Sequence, residues 1–173
     1  MKPLLKKKEE IKSNFSDSVI YYDKNATHQK KVAERLANAL EPWQHSIPEG
    51  PILEIGAGTG FFTQYLLKMY QERELVISDL SKEMVEFCQK KFGTSDLVEY
   101  RILDAEQDVL PSQKYALICG SYTAQWFIYP STSLSIIASF LKPGGLLLIS
   151  FPASESFSNW KKNCLDLGIP YTG

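Results

Sequence analysis

Glu54, Asp79 and Asp104 each lie at or near the end of a short apolar run, and the first stands just before Gly56-Ala57-Gly58-Thr59-Gly60. Alternating glycines between an apolar run and a helix let a ligand come against bare backbone, where a Cβ would collide with it. The spacing selects among ligands. A dinucleotide fingerprint needs G-x-G-x-x-G, with pyrophosphate on the helix N-terminus. Here the third glycine falls one place early, at Gly60, and Phe61 follows it. Asp79 stands where a carboxylate can accept both hydroxyl protons of a ribose, and its distance from the glycines suits an adenosyl ligand or a nicotinamide dinucleotide alike. Leu80 and Met84 are placed to flank a purine, and Met84 would serve equally as core. Asp104-Ala105-Glu106 closes the third run. A fourth runs into Cys119-Gly120-Ser121-Tyr122-Thr123-Ala124-Gln125-Trp126, whose small residues permit close approach and whose Gln125-Trp126 pair can border an acceptor pocket. His28 and His45 stand apart from this set, and His28 reads as a surface residue rather than a base.

These residues need elements to hold them. Residues 51–55 read as a first strand. Phe61, Phe62, Tyr65, Leu66, Met69 and Tyr70 recur at helical spacing to about Gln71. Residues 75–78 form a second strand, and Ser81 caps a helix that Gly93 closes. Strands are expected over 98–103, 115–119 and 146–151. A helix is expected over 133–141, and Lys142-Pro143-Gly144-Gly145 reads as a tight turn. Ahead of them all, 27–40 carries an apolar stripe of Val32, Ala33, Leu36, Ala37 and Leu40, stopped by Pro42. Strands alternating with helices at this spacing predict an α/β fold, a Rossmann-like doubly wound parallel sheet. Ligands in such sheets bind at the carboxyl ends of the strands, where the acids and glycines fall.

The chain has 173 residues, 44% hydrophobic and 23% charged, with a net charge of −1. One domain with a sizeable core is expected, neither disordered nor membrane-spanning. The balance of charge argues against a broad nucleic-acid surface. Lys2, Lys6, Lys7 and Lys8 form the one basic cluster and read as a solvated terminal segment. Leu4-Leu5 is too short for a secretion signal or a membrane span. Cys88, Cys119 and Cys164 are far apart and odd in number, which fits reduced thiols in a cytoplasm and no metal site.

E-x-G-x-G-x-G followed by strand-end acids resembles the class I S-adenosylmethionine (SAM) methyltransferases. The resemblance implies that Glu54, Gly56, Ala57, Gly58 and Gly60 serve the methionine part of a cationic sulfonium. It implies ribose binding by Asp79, with Leu80 and Met84 beside the base. Asp104, Ala105 and Glu106 would meet the adenine, and Gly120 would border the sulfur. No Asn-Pro-Pro-Tyr and no Pro-Cys nucleophile appears, so methylation of a nucleic-acid base is not indicated. Such domains carry seven strands. This chain ends about twenty residues after the fifth, so the expectation is a sheet lacking its last two strands, with a SAM-binding domain over 46–173 and an N-terminal helical cap segment over 1–45. An uncovered fifth strand would invite a homodimer through that edge.

Phe15-Ser16, Tyr22-Asp23 and Gln29, then Gln125-Trp126, Ser150-Phe151-Pro152, Glu155-Ser156-Phe157, Trp160 and Leu167-Gly168-Ile169-Pro170 look like the malonyl-acyl-carrier-protein O-methyltransferase family of biotin synthesis. That resemblance implies methyl transfer from SAM to the free carboxylate of a malonyl thioester on acyl carrier protein. Tyr22 and Gln29 would cover the cofactor, and Tyr22, Gln125 and Trp126 would line the reacting end, with no proton-transfer residue. One departure stands out. The arginines are Arg35, Arg73 and Arg101, none after the fourth strand, which leaves Lys161 and Lys162 as the nearby cations for a carboxylate. Three other readings stay open: transfer to another small or carrier-bound acid, a non-catalytic SAM-binding module, and an NAD-dependent oxidoreductase, the last disfavoured by Gly60.

Overall fold

The computed structural model describes residues 8–10, 13, 19–108, 114–153, 156 and 158–168. Phe15, Ser16, Glu155, Phe157, Ile169 and Pro170 from the resemblance lie outside the described residues. Five strands, β1 (Ile52–Ile55), β2 (Leu75–Asp79), β3 (Val98–Ile102), β4 (Tyr115–Gly120) and β5 (Leu141–Ile149), pair in the order β3-β2-β1-β4-β5. All four pairings are parallel. Strand order reverses between β1 and β4, which opens a crevice at their carboxyl ends. Every residue of β1 and β4 is buried, as a central parallel strand covered on both faces requires.

Successive side chains of a strand point to opposite faces, so β1 and β4 feed two cores. Ile52, Leu117 and Cys119 face α2 (Thr27–Leu40) and α3 (Thr63–Met69), where they meet Ala33, Leu36, Ala37, Leu40, Phe62 and Leu66. Leu53, Ile55 and Ile118 face the other way and pack with Ile137 of α5 (Pro130–Ala138). Each fully buried leucine or isoleucine here contributes about 1.5–3 kcal/mol. A third cluster joins Ala57, Ile77 and Cys88, the last on α4 (Lys82–Phe92). α1 (Val19–Asn25) precedes α2, and α6 (Ser158–Asp166) follows β5. Among the described residues no helix is long and apolar enough to cross a membrane. All three cysteines are buried and free.

Beyond shifts of a residue or two at strand ends, these boundaries differ from expectation. The helix expected to reach from 61 to about 71 is only Thr63–Met69, because 60–62 are spent turning the chain, with Gly60 N donating to Ala57 O. α5 starts at Pro130, not Ser133, since proline suits a first helical position, where its missing N–H has no partner to lose. Its last helical residue is Ala138, not Leu141. The turn at Lys142–Gly145 is a bulge inside β5: Tyr115 pairs with Leu141, yet Leu117 pairs with Leu146, and Gly144 takes φ 77° to make the excursion.

Candidate functional site

A cavity of about 340 Å³ opens at the carboxyl ends of β1, β2, β3 and β4, within the size range of small-molecule sites. One wall is the glycine loop, Gly56 to Thr59, with Phe61 and Phe62. Gly56, Gly58 and Gly60 all take positive φ, at 65°, 57° and 81°. Their reasons differ. A Cβ on Gly58 would meet nothing within 4 Å and would simply fill the cleft, whereas one on Gly56 would strike the Thr123 hydroxyl and one on Gly60 the Phe92 ring. Gly58 therefore leaves room for a ligand, and the other two leave room for the protein.

Asp79, half-buried at the end of β2, ties the site together. Its Oδ2 accepts from Gly58 N at 2.8 Å and its Oδ1 from Ser81 N at 2.8 Å. Burial pushes its carboxyl above the ordinary value, against the amides of Ser81, Gly58 and Leu80 that stabilise the anion. An ionised carboxylate offers about four acceptor sites, more than these amides occupy, so it can still accept from a ligand. Ser81 then starts α4, its Oγ accepting from Met84 N at 3.2 Å. Leu80 and Met84 both line the cleft.

The β3 end holds an unexpected cation. Lys8 is buried: its Nζ donates to both oxygens of Asp104, at 2.6 and 2.7 Å, and lies 2.9 Å from Glu106 Oε2. The reading of Lys8 as solvated is corrected; Lys2, Lys6 and Lys7 lie outside the described residues. Glu106 also accepts from Ile128 N, Tyr129 N and Ser133 Oγ, clasping the start of α5. Burial alone would raise its carboxyl, but Lys8 first, and then these three donors, hold it below the ordinary value. Its side chain is thus committed within the protein while Asp104, Ala105 and Glu106 all line the cavity.

The fourth wall comes from Ser121, Tyr122, Thr123, Trp126 and Phe127 after β4, and the roof from Tyr22 and Gln29 of the N-terminal helices. Tyr22 stacks on Phe61 at 6.0 Å between ring centroids. Its phenol is pushed up to about 12 by burial first, then by Asp79 and Tyr122, so it stays protonated at neutral pH. Trp126 is 43% exposed at the rim. His28 is no bystander: it meets Tyr122 edge-on at 5.4 Å.

Of the residues singled out in the sequence, Tyr22, Gln29, Gly56, Ala57, Gly58, Asp79, Leu80, Met84, Asp104, Ala105, Glu106 and Trp126 line the cavity, while Glu54, Gly60, Gly120 and Gln125 do not. Glu54, 1% exposed, lies beneath the loop and accepts from Thr63 Oγ1 at 2.7 Å. Gly120 allows the β1 and β4 ends to approach, since a Cβ there would sit 2.7 Å from Ile55 O. Gln125 donates its Nε2 to Tyr122 O at 2.7 Å. Sequence reasoning missed Lys8 and passed over Tyr122. The one signal for Tyr122, a bulky residue among small ones after a strand, was available.

Residues 53–149 match a family described as a methyltransferase domain. The chain is 37% identical over 150 residues to a malonyl-[acyl-carrier protein] O-methyltransferase of Priestia megaterium, covering 87% of this chain and 54% of the relative. It is 34% identical over 155 residues to the protein of the same name from Halalkalibacterium halodurans, covering 87% and 57%. The chain thus spans about half the length of the curated relatives it matches. Among solved structures, the plantazolicin methyltransferase BpumL, in complex with a monoazolic desmethylPZN analog and SAH, superposes with a TM-score of 0.70 at 18% identity, covering 93% of this chain and 64% of that one. That likeness is one of fold.

Proposed function

We propose a reaction from one premise: the chain belongs to the methyltransferase domain family, on the fold of the class I SAM methyltransferases. The reaction is transfer of a methyl group from SAM to the free carboxylate of a malonyl thioester carried by acyl carrier protein, forming a methyl ester on a path to biotin. A cytoplasmic setting goes with it, with a homodimer through β5, which has no further strand beside it among the described residues. The observation that carries the cofactor half is the open space beside Gly58 in a cleft that Asp79, hydrogen-bonded to the Gly58 amide, also lines. The acceptor half is supported by the names of the relatives.

The cleft fits such a cofactor. Gly56, Ala57 and Gly58 would carry its amino-acid part, Asp79 its ribose, and Leu80, Met84 and Asp104 its purine. When bound, SAM supplies a methyl on a sulfonium to a nucleophile, and a carboxylate already ionised at pH 7 takes it without giving up a proton. The chain's own task is therefore to orient and to exclude water, and alignment of this kind can supply several kcal/mol. Tyr22 and Gln29 roof the cleft. The Tyr22 phenol stays protonated well beyond neutrality and does not act as a base.

Incubation with radiolabelled SAM and malonyl-carrier protein should place label in a base-labile ester, with none on acetyl-carrier protein. Label on other acids alone would move the acceptor. Ligand binding without any transfer would favour a non-catalytic module.

Lys8 gives a second expectation. Its ammonium already bonds both oxygens of Asp104, the group assigned to the purine amine. In Lys8→Met, Asp104 opens to the cleft and water, and Glu106 keeps its three other donors, so the fold should survive. Calorimetry should show S-adenosylhomocysteine bound several-fold more tightly by the variant. Weaker binding would instead make Lys8 part of the ligand's site.

A further inference from the structure

Tyr122 has φ 58°, alone among the non-glycine residues described. A bulky side chain in left-handed backbone costs free energy, and such residues persist only where their surroundings over-determine them. Here both backbone groups are pinned by side chains: Tyr122 N donates to Ser150 Oγ at 3.0 Å, and Tyr122 O accepts from Gln125 Nε2 at 2.7 Å. The next residue is fixed as well, Thr123 N donating to Ser150 O at 3.3 Å, with the Thr123 side chain filling the space that Gly56 and Gly120 leave. Gln125 carries a second cost, since its Oε1 is buried without a partner. Two unfavourable features thus converge on one residue, and neither buys packing: the Tyr122 ring lies in the cleft wall and reaches the exposed His28 of α2.

We propose that Tyr122 is a positioning residue. Its left-handed backbone turns the ring out of the sheet to meet His28, so that the pair closes the cleft between the end of β4 and α2. Tyr22 stacks on Phe61, which follows the glycine loop, and both line the same cleft. Both aromatic pairs then bound the one cleft, with the Tyr22 and Tyr122 phenols near enough to interact. Gln125, which does not reach the cavity, acts through Tyr122.

This inference rests on the reading that the cleft holds SAM or its product, and its test needs no acceptor. In Tyr122→Gly the strain disappears with the ring. The melting temperature should be unchanged or raised, while S-adenosylhomocysteine should dissociate at least tenfold faster in stopped-flow displacement. Tyr122→Phe should keep the wild-type rate, and His28→Ala should speed dissociation to a lesser degree. A wild-type dissociation rate in Tyr122→Gly overturns the proposal. A fall in melting temperature of several degrees does so too, because it makes Tyr122 a packing residue. Failure of the wild-type protein to bind the compound at all would refute the cofactor reading first, and this inference with it.

Discussion

Asp79→Ala is expected to weaken S-adenosylhomocysteine binding by at least a hundredfold and to lower the melting temperature by several degrees. Two functions meet in this carboxylate. It fastens Gly58 N and Ser81 N at 2.8 Å each, holding the glycine loop against the β2–α4 turn. It also lines the cleft, where the proposed function gives it the ribose. Hydrogen bonds to a charged group contribute roughly 1.5–3 kcal/mol each, so losing a bidentate pair removes two to four orders of magnitude in affinity. Alanine also leaves the backbone donors that this carboxylate fastens without an acceptor, which is the source of the stability loss. Asp79→Asn separates the two: one amide oxygen remains, so stability should recover in part while binding stays at least tenfold weak. Calorimetry beside thermal melts reads both. Binding within fivefold of wild type in Asp79→Ala would show that the ribose lies elsewhere.

What was legible in the sequence is what period and punctuation encode. β1, β2 and β4 are apolar runs broken by glycine or acid, and α2 and α4 carry apolar stripes with a proline or glycine at their ends, so their limits fall within a residue or two of expectation. The cleft followed because strand ends share one side of a parallel sheet. β5 was harder: its glycines mark an excursion within a strand as readily as a turn before one, and only pairing with β4 decides. Side-chain direction was not legible either. Glu54 and Gln125 belong to the right segments yet point away from the cavity, into a hydrogen bond with Thr63 and into the Tyr122 carbonyl. Lys8 and His28 enter through chain crossings that no local pattern records, Lys8 reaching Asp104 across 96 positions.

Glu54→Gln is expected to flatten the pH dependence of stability and to leave the variant more stable than wild type above pH 8. The Glu54 carboxyl is pushed up from 4.5 to about 8, chiefly by burial, helped by Asp79 and opposed by the Thr63 hydrogen bond. Between those values the folded protein keeps a proton that the unfolded chain has released. The stability this contributes is complete below the unfolded value, drains away as pH rises, and is gone above about 8. One proton corresponds to about 1.4 kcal/mol per pH unit, so the whole span is on the order of 5 kcal/mol, or roughly 10–20 °C in melting temperature for a chain of this size. Glutamine cannot ionise and still accepts from Thr63, so its curve should lack this slope in melts taken from pH 5 to 9; parallel curves would mean that Glu54 does not titrate there. The same carboxyl lies under the loop assigned to the sulfonium. A cation bound above it favours its ionised form and lowers its folded-state titration, so with SAM the wild-type decline should end at lower pH, and be shallower overall, than with the uncharged sulfur of S-adenosylhomocysteine. The glutamine variant should not distinguish the two in this way, which makes Glu54 a reporter of charge in the cleft even though it never touches the ligand.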